Sequence, residues 1–151
     1  MIVAAVLQQY ADRGVFRGLS ETRLPGGRYE YTFTWLMHRP FTLTYDPARR
    51  VLSLKNLFPH VGPGSAVATA LRDIVAERAT RRVPSHKRFD GRRVKASCGI
   101  HRGHFSVTLR VRGDHETYAV RQLLDLVNEL FLALQETYPD YLIAQFGLTG
   151  E

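Results

Sequence analysis

The chain has 151 residues, enough for one domain, residues 1–151, with a sizeable core. Apolar residues make up 44% of it and no apolar run approaches the length of a membrane span, which excludes a disordered, a fibrous and a helical membrane-spanning protein. The net charge is +7, and a single cysteine, Cys98, excludes an internal disulfide and fits a reducing cytoplasm.

Residues 2–12 carry Ile2, Val3, Val6, Leu7 and Tyr10 at helical spacing, which predicts a short helix. The segment around Val15-Phe16, bracketed by Gly14 and Gly18, has no clear period. Pro25-Gly26-Gly27 marks a turn. Tyr29, Tyr31, Phe33, Trp35 and Met37 then alternate with Arg28, Glu30, Thr32, Thr34 and Leu36, a strand of high β-propensity whose aromatic side reads as the core face of a sheet. Phe41, Leu43 and Tyr45 repeat the pattern. Asp46-Pro47-Ala48-Arg49 is a turn, and Val51–Leu57 is a third strand.

Ser65 reads as the N-cap of a helix running to about Ala79. A basic connector over residues 80–91 leads to two alternating segments, 93–100 and 104–112. With Arg102-Gly103 as a two-residue loop, Ile100 meets Phe105, Cys98 meets Val107, Ala96 meets Leu109 and Val94 meets Val111. The same register sets Lys95 against Arg110 and Arg93 against Arg112, like charges that repel across a ladder. Asp114 is placed to cap a long amphipathic helix built on Val120, Leu123, Leu124, Val127, Leu130, Phe131, Leu134 and Tyr138, and Pro139 ends it. Leu126 and Leu132 lie off that stripe and form a candidate second contact surface. Tyr141–Phe146 reads as an edge strand or a docked tail. The expected fold is therefore α+β, in the order α-β-β-β-α-β-β-α, with an antiparallel sheet of about five strands and helices packed on one face.

The charge is concentrated in one segment. Arg78, Arg81, Arg82, Lys87, Arg88, Arg92, Arg93 and Lys95 stand against one acid, Asp90, and this surplus equals that of the whole chain. Together with Arg110 and Arg112 they form a candidate patch for a polyanion or an acidic partner. Cys98, His101 and His104 have a spacing that zinc tolerates, but strand alternation turns Cys98 to the apolar side and the histidines away from it. No serine sits in a nucleophile elbow and the acids are scattered, so the sequence offers no catalytic residues and calls for no cofactor or metal.

The order of elements, with Phe41-Thr42-Leu43-Thr44-Tyr45-Asp46-Pro47 followed by Val51-Leu52-Ser53-Leu54, a helix, a second hairpin and a long helix ending at Tyr138-Pro139, resembles the YbjN-like proteins. These share the fold of the type III secretion chaperones. The resemblance spans residues 2–146 as a pattern. It implies a small cytoplasmic α+β domain, often a homodimer, that binds a protein segment and does no chemistry. The secretion chaperones are typically acidic, whereas this chain is basic. The expected function is a chaperone- or adaptor-like protein-interaction domain with a protein partner and a homodimeric state. The competing reading is a nucleic-acid-binding domain that uses the basic segment.

Overall fold

The computed structural model describes residues 2–80 and 82–147. Helix α1 (Ile2–Asp12) leads into four strands, β1 (Arg17–Leu24), β2 (Arg28–Thr34), β3 (Pro40–Asp46) and β4 (Val51–Phe58). Helix α2 (Ala66–Glu77) follows, then β5 (Val94–His101), β6 (His104–Val111), α3 (Glu116–Thr137) and α4 (Pro139–Phe146). The strands form one antiparallel sheet of six, in the order β1-β2-β3-β4-β6-β5. The fold is α+β, as its alternating strands and 3.6-residue periods require.

The two faces of the sheet differ as period-two alternation dictates. Tyr31, Phe33, Phe41, Leu43, Leu52, Leu54, Val107 and Leu109 turn to one side and are buried with Val6, Leu71, Leu123, Val127 and Phe131 of the helices. Each such aliphatic or aromatic side chain contributes about 1.5–3 kcal/mol by leaving water. The aromatic side of β2 is thus core and offers no stacking platform. On the opposite face one row of directly paired residues crosses all six strands: Thr22, Glu30, Thr44, Ser53, Thr108 and Ser97. This face is polar and carries no helix.

The β5–β6 hairpin has the register expected from its alternation, from Val94–Val111 to His101–His104. Arg102 and Gly103 have φ of 52° and 80°, the two left-handed residues of a type I′ turn, whose twist matches that of the strands. Ser65 caps α2 by accepting a hydrogen bond from the Ala68 N–H.

Four expectations are corrected. The sheet has a sixth strand, β1. It is an edge strand with most residues exposed, so neither face imposes an apolar period. Tyr141–Phe146 is not an edge strand but docks as a helix: Pro139, which ends α3, also occupies the first turn of α4, where its missing N–H costs nothing. His115, not Asp114, precedes the first residue of α3, and it makes no side-chain cap. The aromatic strand stops at Thr34, because Met37 and His38 adopt positive φ in a 3₁₀ turn.

Candidate interaction surface

The structure divides the basic residues into three groups. Arg78 is withdrawn from the surface altogether. It closes the C-terminal end of α2 with 3% exposure, donating through Nη1 to Glu129 Oε1 and through Nη2 to Gln122 Oε1, both at 2.8 Å. Its guanidinium lies 4.8 Å from the centre of the Phe89 ring. Expecting it in a solvent-facing patch is therefore wrong: its charge is spent tying α2 to α3.

The second group lies in the connector. Arg82 and Lys87 are exposed, while Arg88 is half-buried and donates to the Val83 carbonyl. Arg92 is exposed. Arg93 pairs with Asp90 at 3.3 Å and stacks on Tyr118. Arg81 lies outside the described residues. The third group belongs to the sheet. Lys95 and Arg110 are direct cross-strand partners on the helix-free face, and both are exposed. Arg112 donates its backbone N–H to the Arg93 carbonyl, so Arg93 and Arg112 continue the ladder by one pair.

That last bond fixes which backbone groups of β5 point outward. In an antiparallel pair, residues alternate between those that bond to the partner strand and those that do not. Arg93 bonds to β6, so 95, 97 and 99 do likewise, and the backbone groups of Ala96, Cys98 and Ile100 face away from the sheet. The Val94 N–H also faces outward and is taken by the Asp90 carbonyl. Because β5 ends the sheet, its outward groups have no strand partner among the described residues.

The two edges of the sheet are protected differently. The pairing of β1 shifts between Arg17 and Ser20, around Gly18, and the strand carries the charges of Glu21 and Arg23, devices that discourage further pairing. The eight pairs of β5 run without a shift, its middle residues Ala96, Ser97, Cys98 and Gly99 are small, and its one charge is Lys95. A groove of about 370 Å³ lies beside its N-terminal half, with Val75, Ala76 and Phe89 as apolar walls and Lys95 and Arg112 at its border.

Leu126 and Leu132 do not share a surface. Leu126 is 0% exposed within the core and Leu132 is 51% exposed, so the expected second stripe on α3 does not form. Cys98 is half-buried on the helix side of β5, while His101 and His104 pair across the hairpin end. Among the described residues no three His, Cys, Asp or Glu side chains converge on a metal-sized site. Burial raises the Cys98 thiol above its usual range, and the charge of Arg72 only partly offsets this. Iodoacetamide is accordingly expected to alkylate Cys98 more slowly in the native protein than in denaturant. The folded state keeps the neutral thiol, so its stability is unaffected below the ordinary thiol range and falls as pH rises past it. Equal native and denatured alkylation rates would contradict the burial.

No helix among the described residues is long and apolar enough to cross a membrane. Comparison with protein-family models, with curated proteins and with solved structures returned no match.

Proposed function

We propose that this chain is a non-enzymatic protein-interaction domain of the cytoplasm that accepts an extended segment of a partner protein as a seventh strand along β5. The observation that carries the reading is the open edge: an unshifted strand whose Ala96, Cys98 and Ile100 backbone groups face outward, lying beside an apolar groove. Strand addition draws affinity from main-chain hydrogen bonds and specificity from alternate side-chain pockets. A strand laid on β5 would direct every second side chain toward Val75 and Phe89 and the intervening ones toward Lys95, Arg110 and Arg112. The preferred segment therefore alternates apolar and acidic residues. The same charges disfavour a second copy of this basic chain at that edge, so we assign any homodimer to another surface. The resemblance to YbjN-like proteins and secretion chaperones, which bind protein segments, agrees with this role.

A fluorescent peptide alternating isoleucine and glutamate tests it. Ala96→Pro removes an outward N–H from an edge strand, where proline is tolerated. It is expected to weaken peptide binding by about tenfold or more while leaving the thermal midpoint near that of the wild type. Lys95→Glu with Arg110→Glu should transfer the preference to an isoleucine–lysine peptide. If the wild type ignores the acidic peptide, or if Ala96→Pro binds it equally well, the strand-addition reading fails.

The solvent-facing Lys95–Arg110 pair, with Arg112 and Arg92 nearby in sequence, supports a second reading as a nucleic-acid-binding domain. Anisotropy with short single-stranded RNA and duplex DNA over a salt series separates the two. Phosphate contacts by about four cations give a log–log slope of roughly −3 to −4, whereas strand addition requires an extended polypeptide and leaves both nucleic acids unbound.

A further inference from the structure

The β3–β4 ladder stops at Leu43–Leu54, although both strands continue beyond it. The cause lies in β4. Its pairing with β6 shifts between Leu54 and Phe58, and within that bulge Asn56 adopts φ of 57° and donates its N–H to Ser106 Oγ at 3.0 Å. The bulge swings the end of β4 toward β6 and away from β3. Residues 40–42 consequently have no partner in β4, and the sheet is split.

The split opens a cavity of about 260 Å³. Its apolar walls are Phe41, Leu57, Phe131 and Phe146. Phe131 lies 5.9 Å from Phe41 and 6.1 Å from Phe146, ring centre to ring centre. Helix α4 is held against it by the Tyr141 hydroxyl, which donates to the Pro59 carbonyl. The charged side chains of the lining are both cationic, Arg39 and Lys55; His104 and Asn56 add polar groups and no carboxylate contributes. Arg39 lies over the face of Phe146 at 4.8 Å, and neither Arg39 nor Lys55 has a carboxylate partner among the described residues. The Nδ1 atom of His104 is buried without a hydrogen-bond partner.

An aromatic cavity with two cations, Arg39 and Lys55, that lack a carboxylate partner among the described residues selects a molecule with an apolar body and an anionic end. Its volume is slightly below the roughly 300–1,000 Å³ typical of pockets for drug-sized ligands, which limits that body to a short chain or one ring. We propose that the split between β3 and β4 binds a small free carboxylate with an apolar body, its carboxylate held by Arg39 and Lys55 and its body packed on the wall of Phe41, Phe131 and Phe146. Bulges recur beside functional sites because they re-aim side chains, and the left-handed Asn56 is a local cost that this arrangement sustains. The site is independent of the β5 edge and stands or falls without it.

Octanoate is the probe, titrated into the intact protein labelled with ¹⁵N. The expected result is saturable binding with amide shifts centred on Asn56, Leu57 and Ser106, weaker binding of propionate, and none of octylammonium. Arg39→Gln with Lys55→Gln should reduce octanoate affinity by about tenfold or more without changing the thermal midpoint. Arg39→Glu with Lys55→Glu should admit octylammonium instead. No saturable binding, shifts centred elsewhere, or equal affinity of the neutralised variant would each overturn the proposal.

Discussion

Arg78→Ala is expected to destabilise the protein by about 2–4 kcal/mol, lowering the thermal midpoint by about 5–15 °C in a domain of this size. The side chain is 4% exposed and reaches from the end of α2 to Glu129 and Gln122 on α3, with Phe89 stacked beneath it. Truncation removes two short charge-assisted hydrogen bonds, one of them to a carboxylate, and leaves a void against Phe89. Glu129→Ala should cost about 2–3 kcal/mol for a different reason: it leaves a buried guanidinium without its counter-charge. Replacing both groups is cheaper than breaking the pair at Glu129, because no buried guanidinium is then left without a counter-charge. Arg78→Met with Glu129→Leu is expected within about 1 kcal/mol of the wild type, since apolar substitution of a buried ion pair is often near neutral. Denaturant melts of the four proteins decide this. A neutral Arg78→Ala would show that the arginine does not join the two helices.

Leu126→Asn and Leu132→Asn form the second comparison, and their effects should differ by several kcal/mol. Leu126 is fully enclosed, so the substitution loses a buried leucine and places an amide where nothing can hydrogen-bond it, costing about 4–6 kcal/mol in sum. That approaches the whole stability of an ordinary domain. Leu132, 51% exposed on the outer side of α3, should tolerate the same change within about 0.5 kcal/mol. Circular-dichroism melts separate the outcomes. Similar losses for both would mean that Leu132 is covered in solution, and would reopen α3 as an interface.

The features legible in the sequence were those with two-sided constraints. The β5–β6 register followed because a slip of one residue would turn every apolar side chain of the hairpin to the wrong face. The long helix followed from its stripe. β1 escaped because an edge strand exposed on both sides obeys no period, and α4 escaped because six apolar-rich residues suit a strand or a helix equally. Arg78 was misplaced for an electrostatic reason. Among eight neighbouring cations nothing in the sequence marks the one with a carboxylate waiting 51 residues away. The freedom of the β5 edge is a property of strand order, which one chain read linearly does not reveal. The sheet split did leave a trace. Alternation through Leu52 and Leu54 breaks at the polar pair Lys55-Asn56 and resumes at Leu57-Phe58, the mark of an extra residue in a strand.

The strand order also dictates how the sheet assembles. The β1–β2, β2–β3, β3–β4 and β5–β6 pairings join strands adjacent in sequence, and each closes a short loop. The β4–β6 seam alone joins distant strands, with Ser53 and Thr108 facing each other from positions 55 residues apart. Closing that loop carries the largest entropic cost in the sheet and is repaid only once both sides exist. A four-stranded meander and a two-stranded hairpin are therefore expected to form as separate local units, with zipping of the seam between them setting the folding rate. Leu52, Leu54, Val107 and Leu109, which meet along the seam, are the positions where substitution should slow folding more than it speeds unfolding.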